Sequence, residues 1–166
     1  DMNIAFLKAA AITINDWGYR GASVDRIAAE LSVTKGSFYH HLQSKDDLVL
    51  ACFDLSYARV SLAQRAAERI EGDHHRKLCA SVASLLALQF YGDSPLLRTT
   101  ALYALPPDVR AGVIERSNRM ARRYAGVLID GITESSIKAI DPLIAAQMIM
   151  ATLNTAYEMR RWAEVQ

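Results

Sequence analysis

Ser23-Val24-Asp25-Arg26-Ile27-Ala28-Ala29-Glu30-Leu31-Ser32-Val33-Thr34-Lys35-Gly36-Ser37-Phe38-Tyr39-His40-His41-Leu42 is the stretch that decides the fold. Ser23 is a good N-cap, and Val24, Ile27, Ala28 and Leu31 recur at i, i+3, i+4 and i+7 on one helical face. Thr34 opens a second short helix that keeps Phe38 on its inner side. Two short helices joined by a tight turn make a helix-turn-helix, whose second helix lies in the major groove with its first residues on base edges. At 100° per residue, Lys35, Gly36, Tyr39 and His40 share an arc of about 140°. Gly36 costs about 1 kcal/mol against Ala in a helix, and close approach of the backbone to DNA would offset that. The hydroxyls of Thr34 and Ser37, with the first-turn N–H groups, suit phosphate oxygens. Lys45, at the next helix start, would reach a phosphate from the other side. On these residues alone an ordinary surface corner fits too. Phe38 is core on either reading, and His41, off the arc, also reads as a packed histidine.

Working outward, Ile4, Leu7, Ala11 and Ile14 predict a first helix over about 3–15, followed by a loop at 17–22. Ser44 with Asp47 resembles a capping box. It opens a long helix to about residue 70 with Leu48, Cys52, Leu55 and Leu62 inward, stopped by Glu71-Gly72-Asp73. Further helices are expected over 76–91, 96–105, 107–135 and 141–162, with a turn at Gly92-Asp93-Ser94-Pro95 and Pro107 at N1. Val109, Val113, Met120, Tyr124, Val127 and Leu128 are expected inward on the helix from 107. Residues 143–151 are apolar nearly all round, which implies burial on every side and a second subunit as the extra cover. No stretch alternates like a strand, and no repeat or low-complexity tract occurs. The fold class is therefore all-α, with an N-terminal three-helix domain over 1–44 and a further helical domain over 45–166, the 45–70 helix connecting them.

The chain has 166 residues, 51% of them apolar, with 8 Gly and 4 Pro, a globular composition. Cys52 and Cys79 lack framework spacing and read as reduced, semi-buried thiols of a cytoplasmic protein. Neither a secretory signal nor a membrane span is evident. Net charge is +1, and residues 1–50 hold five basic and six acidic side chains. That is a weak footprint for a nucleic-acid partner. Yet Ser32 to Lys45 contains no acid, so the reading surface is locally positive. The chain begins at Asp1, which leaves room for a basic arm outside it.

Residues 27–48, Ile27-Ala28-Ala29-Glu30-Leu31-Ser32-Val33-Thr34-Lys35-Gly36-Ser37-Phe38-Tyr39-His40-His41-Leu42-Gln43-Ser44-Lys45-Asp46-Asp47-Leu48, resemble the signature of the TetR family of transcriptional regulators. The first helix, the Gly18-Tyr19-Arg20-Gly21-Ala22-Ser23 loop and the long helix from 45 match in order and spacing, over about residues 4–55. The resemblance implies a ligand-responsive regulator, most simply a repressor, that binds a near-palindromic operator as a homodimer and is released by a small molecule. Carried over by position, it implies phosphate or sugar contacts from Ser23, Thr34, Ser37, Tyr39, His41 and Lys45. Lys35, Gly36 and Tyr39 would face bases, with His40 nearby. Asp25 departs from members that read a base with Arg there. The family also pairs through its last two long helices, whereas one precedes Gln166; either the chain is truncated or residues 143–153 serve an unseen partner.

Two other classes compete. An enzyme lacks support, since no phosphate loop, His-Glu-x-x-His or nucleophile elbow occurs. His74-His75 reads as a solvated helix start, and His75 with Cys79 at i, i+4 is too few ligands for a metal. The other class is a helical dimerisation or interaction module that has lost DNA binding. No cofactor is implied. For an effector, Gln89, Tyr103, Asn118, Tyr124, Asn154 and Tyr157 are the polar candidates in a mostly apolar pocket, which suits a hydrophobic or amphipathic molecule. Arg116, Arg119, Arg122 and Arg123 read as a solvated face.

Overall fold

A computed structural model describes residues 4–30, 32, 34, 36, 42–92 and 95–163, with the side chain of Arg161 excepted. The described residues are all-α: α1 (Ile4–Gly21), α2 (Val24–Glu30), α3 (Lys45–Glu68), α4 (His74–Tyr91), a 3-10 helix (Thr99–Ala104), α5 (Pro107–Thr133) and α6 (Pro142–Ala163). They divide into two compact units. One holds the residues up to Ser56 and those of 95–113; the other holds Tyr57–Gly92 and Ile114 onward.

In the first unit, Leu7, Ala10, Ala11 and Ile14 of α1 are buried, as are Ile27, Ala28, Leu48, Val49, Cys52 and Phe53. The first helix is longer than its apolar period predicts. It continues through the expected loop and bends at Gly18, whose φ of 70° and ψ of 171° form a region essentially reserved for glycine. Ala22 then donates to Gly18 O at 3.0 Å and is fully buried. Ser23 caps α2 as expected, accepting from Arg26 N at 3.1 Å. Ser32 takes the turn after α2 with φ 54°. The capping box also forms: Asp47 N donates to Ser44 Oγ at 3.1 Å, and Ser44 N to Asp47 Oδ2 at 2.9 Å.

The expected helix over 96–105 is instead an extended lead and a 3-10 turn. Side chains take the amides that would start it. Leu97 N donates to Ser56 Oγ at 2.9 Å, and Arg98 N to Asn15 Oδ1 at 3.0 Å. Asn15, 6% exposed, completes the clamp by donating from Nδ2 to Leu96 O at 3.0 Å. Buried backbone groups must be paired, and here the pairing comes from α1 and α3.

In the second unit, α4 packs along α6. Gln89 Nε2 of α4 donates to Leu153 O at 2.6 Å, and Gln64 Nε2 of α3 donates to Met120 O at 3.0 Å. Leu62 corrects the inward list, being 61% exposed. Buried Val60, Gln64 and Ala67 define the inner stripe, and Leu62 stands two residues, about 200°, from Val60. Leu55 is half-buried, whereas Leu48 and Cys52 are buried as expected. On α5, Val113, Tyr124 and Leu128 are buried; Val109, Met120 and Val127 are half-buried. The final helix buries Ala146, Leu153 and Ala156 but leaves Leu143, Ile144 and Met148 at 63%, 61% and 65% exposed. Expectation of burial on every side is not met within one chain.

Asn15→Ala should lower unfolding stability by about 2–4 kcal/mol, because two bonds are lost and two buried backbone groups are left unpaired. Urea denaturation followed by circular dichroism measures this; a loss below about 1 kcal/mol would show that the clamp is not structural.

Candidate DNA-binding face and effector cavity

Of the nine candidate DNA contacts, Ser23, Thr34, Gly36 and Lys45 are described; Lys35, Ser37, Tyr39, His40 and His41 lie outside the described residues. Ser23, Thr34 and Gly36 are exposed, and Gly36 is helical. A Cβ built on Gly36 would come 3.8 Å from Thr34 Oγ1, ordinary contact. Among the described residues, packing thus does not require glycine there.

Lys45 departs from a simple phosphate donor. Its ammonium sits 4.2 Å from the centre of the Tyr19 ring and also donates to Tyr19 O. Burial pulls its pKa below the ordinary lysine value, with Asp46 acting in the opposite direction. The Tyr19 hydroxyl in turn donates to Asp46 Oδ1 at 2.6 Å. Burial first, then the Asp46 hydrogen bond and charge, push the Tyr19 phenol up to about 12. Tyr19, Lys45 and Asp46 therefore clasp the end of α1, beyond the bend at Gly18, onto the start of α3. An ammonium has three donors, so the bond to Tyr19 O does not exhaust it. Arg26, exposed on α2, stacks its guanidinium 4.1 Å from the Trp17 ring centre. Sequence reasoning missed this clasp; its signal was the pairing of a loop tyrosine with Lys45-Asp46 across the helix-turn-helix.

Of the six candidate effector residues, Tyr103 falls in the first unit and the other five in the second. Tyr103 is 79% exposed in the first unit. Asn118, Asn154 and Tyr157 are half-buried in the second. Gln89 is fully buried and tied to Leu153. Tyr124, 1% exposed, does line a cavity of about 130 Å³ in the second unit, with its hydroxyl 2.9 Å from Ser81 Oγ. Gln64, Ser81, Leu78, Ala67 and Val127 share that wall, and Glu68, His74, Lys77, Arg123 and Asp130 bring charge to it.

The charged residues are paired more than their sequence suggests. Arg123 donates from Nε and Nη2 to Glu68 Oε1 at 3.0 and 2.8 Å. Arg122 and Arg119 approach Glu115, and Arg116 lies 5.6 Å from the Tyr57 ring centre. His74 is not simply solvated. Its Nδ1 lies 2.9 Å from Glu134 Oε2, its Nε2 lies 3.7 Å from Asp130, and its backbone N–H donates to Glu134 Oε1 at 2.6 Å. The His74 backbone N–H, then Ser136 Oγ, then the His74 ring hold Glu134 down to about 2. Cys52 is buried, and desolvation pushes its thiol up to about 12, whereas Cys79 is exposed, 3.6 Å from His75 Nε2. Among the described residues no three metal-binding side chains cluster, and no helix is long and apolar enough to cross a membrane.

Residues 6–52 match the family described as bacterial regulatory proteins, tetR family. This N-terminal segment is similar to the TetR family. The TetR-family head is also similar to the transposon Tn10 TetC protein of Escherichia coli, 39% identical over 49 residues. That match covers 30% of this chain and 25% of TetC, so the chain matches a quarter of that relative's length. The matched family is one of regulators rather than enzymes. Solved structures extend the likeness in fold beyond the TetR-family head. AibR, crystallised with isovaleryl coenzyme A and operator DNA, is 23% identical with a TM-score of 0.75. The similarity covers 93% of this chain and 85% of AibR. FadR of Bacillus subtilis, crystallised with stearoyl-CoA, is 20% identical with a TM-score of 0.71, over 97% of this chain and 88% of FadR. PfmR of Thermus thermophilus, a TetR-family regulator, is 22% identical with a TM-score of 0.70, over 95% and 85%. The all-α fold is shared with these structures.

Two substitutions test the local electrostatics. Because the Tyr19 pKa is raised in the fold, its stabilisation is complete below pH 10 and is lost as pH climbs from the ordinary 10.0 through about 12. Tyr19→Phe should lose about 1 kcal/mol at neutral pH, and the gap to the parent should close in alkaline melts. Because the Glu134 pKa is depressed, its contribution is present above the ordinary 4.5 and is lost as pH falls through about 2. Urea midpoints of the parent and Glu134→Gln should therefore differ at pH 7 and converge in acid; parallel curves would show that the His74–Glu134 contact contributes nothing.

Proposed function

We propose that this chain is a ligand-responsive transcriptional repressor that binds a near-palindromic operator as a homodimer in the cytoplasm and is released by a small amphipathic molecule. The observation that carries the reading is the TetR-family match over residues 6–52, set in a fold shared with regulators crystallised on operator DNA. Residues 1–44 are the reading domain and 45–166 the effector and dimerisation domain. Lys35, Gly36 and Tyr39 face bases, with His40 beside them. Ser23, Thr34, Ser37, His41 and Lys45 hold phosphate or sugar, as Tyr39 also does. AibR and FadR, each crystallised with an acyl-CoA, support an amphipathic effector.

The dimer reading rests on α6. Ile144, Met148, Met159 and Trp162 are all exposed and recur at helical spacing, an apolar stripe that a second copy would cover. An effector acts by preferring one dimer geometry. The α3 helix is the connector through which it would do so, changing the spacing of two recognition helices from one DNA turn, about 34 Å. The competing reading, a dimerisation module without DNA binding, is favoured by the acidic balance of residues 1–50 and by the engagement of Lys45 with Tyr19.

Selection from a random-sequence duplex library, followed by fluorescence anisotropy on the selected site, separates the two. Affinity should fall by about 10³-fold or more between about 50 and 200 mM salt, the response of six or more phosphate contacts. Tyr39→Ala should weaken specific binding by about tenfold or more. If no site is selected, or if Tyr39→Ala binds it as tightly as the parent, the regulator reading fails.

A further inference from the structure

Arg26 is held at the surface of the first unit by an aromatic ring. Its backbone N–H donates to Ser23 Oγ at 3.1 Å, and its guanidinium lies 4.1 Å from the centre of the Trp17 ring on α1. A long contact of 3.5 Å from Nη1 to Gly21 O adds a third support. Both members of the stack stand in solvent, Arg26 being exposed and Trp17 58% exposed. Trp17 therefore adds little to the core, and its exposed ring orients a cation instead.

A carboxylate partner would act differently. On α5, Arg119, Arg122 and Arg123 each face a glutamate, which offsets the charge and takes up N–H groups. Arg26 pairs with no carboxylate among the described residues. An indole face attracts the cation without neutralising it, and a stacked guanidinium keeps its donors in the plane of the fork. There are five of them, so the contact with Gly21 O does not exhaust the group. Its rotamers are restricted before any ligand arrives, which lowers the entropic cost of the next bond.

Position and charge select the acceptor. The first helix of a helix-turn-helix crosses the DNA backbone, and α2 is that helix here. Arg26 is bonded to Ser23, itself an exposed candidate for a phosphate contact. Arg20, exposed one residue before Gly21, adds positive charge to the same loop. Asp25 leaves α2 about 100° around the helix from Arg26, so the acid and the guanidinium address different directions. A planar fork matches two oxygens of one phosphate.

We propose that Trp17 presents Arg26 as a preformed phosphate clamp, through which α2 grips the DNA backbone irrespective of base sequence. The proposal rests on the regulator reading above and adds two residues to the nine candidate contacts. Arg26 touches the phosphate, and Trp17 is a positioning residue that acts through Arg26.

Fluorescence anisotropy of the full chain on the selected site and on an unrelated duplex, over about 50–200 mM salt, tests it. Arg26→Ala should weaken binding to both duplexes alike, by about tenfold at the lower salt. The slope of log affinity against log salt should become shallower by about 0.9, the share of one phosphate. Arg26→Lys keeps the charge and loses the fork, so it should hold the parent slope with weaker affinity. It also serves if Arg26→Ala fails to fold. Trp17→Leu should likewise weaken affinity at the parent slope, since the cation remains and its orientation goes. An unchanged slope in Arg26→Ala would reduce Arg26 to a structural role and overturn the clamp. A loss confined to the selected site would make Arg26 a reader of bases and overturn it too. Parent-like binding by Trp17→Leu or by Arg26→Lys would remove the positioned fork. In each of these outcomes the parent still binds its site, and the regulator reading stands. A parent that binds neither duplex removes the regulator reading and the clamp together.

Discussion

One buried amide, Asn15, sets the architecture of the first unit. Its carboxamide satisfies a donor and an acceptor on a strand of backbone more than eighty residues away, Leu96 O and Arg98 N. Ser56 does the same for Leu97 N while donating to Cys52 O at 2.8 Å. Because these side chains occupy the amides needed to begin a helix, the 96–105 stretch gives up regular helix for an extended lead and a 3-10 turn. The segment is thereby built into the same core as α1 and the start of α3, with Leu96, Leu97, Leu102 and Leu105 buried. Apolar burial supplies the attraction, and the clamp supplies the register.

A second constraint acts at the surface of that unit. The end of α1, beyond the bend at Gly18, is held by Tyr19, whose carbonyl and ring engage Lys45 and whose hydroxyl engages Asp46. This ties the cap of α2, at Ser23, to the capped start of α3 at Ser44. The two helix starts on either side of the recognition segment are positioned by one aromatic side chain. Asp46 is engaged in the clasp and Asp47 in the capping box.

How much was legible in the sequence follows the physics of each signal. The all-α class, the caps at Ser23 and Ser44, and the TetR-family head were readable because they depend on local spacing and on short, specific motifs. The bend at Gly18 was hidden, since apolar periodicity stops before it and the helix continues through polar residues. The 3-10 turn was hidden for a different reason: Asn15 and Ser56 act over long separations that no local pattern reveals. The cavity of the second unit was the least legible. That Tyr124 borders it followed from an aromatic placed on an inner stripe. Gln64 was passed over although it occupies the inner position that Leu62 was expected to fill, and a polar residue on an apolar stripe was the signal available.

Gly18 carries a consequence of its own. A Cβ built there meets nothing within 4 Å, so no crowding excludes a side chain. The exclusion comes from the backbone alone, which at φ 70° and ψ 171° is open to glycine and closed to L-residues. The mirror image of those angles is ordinary extended backbone, which a D-residue at this position would occupy without strain. The bend before the helix-turn-helix therefore discriminates by handedness, its backbone angles suiting a D-residue and straining an L-residue.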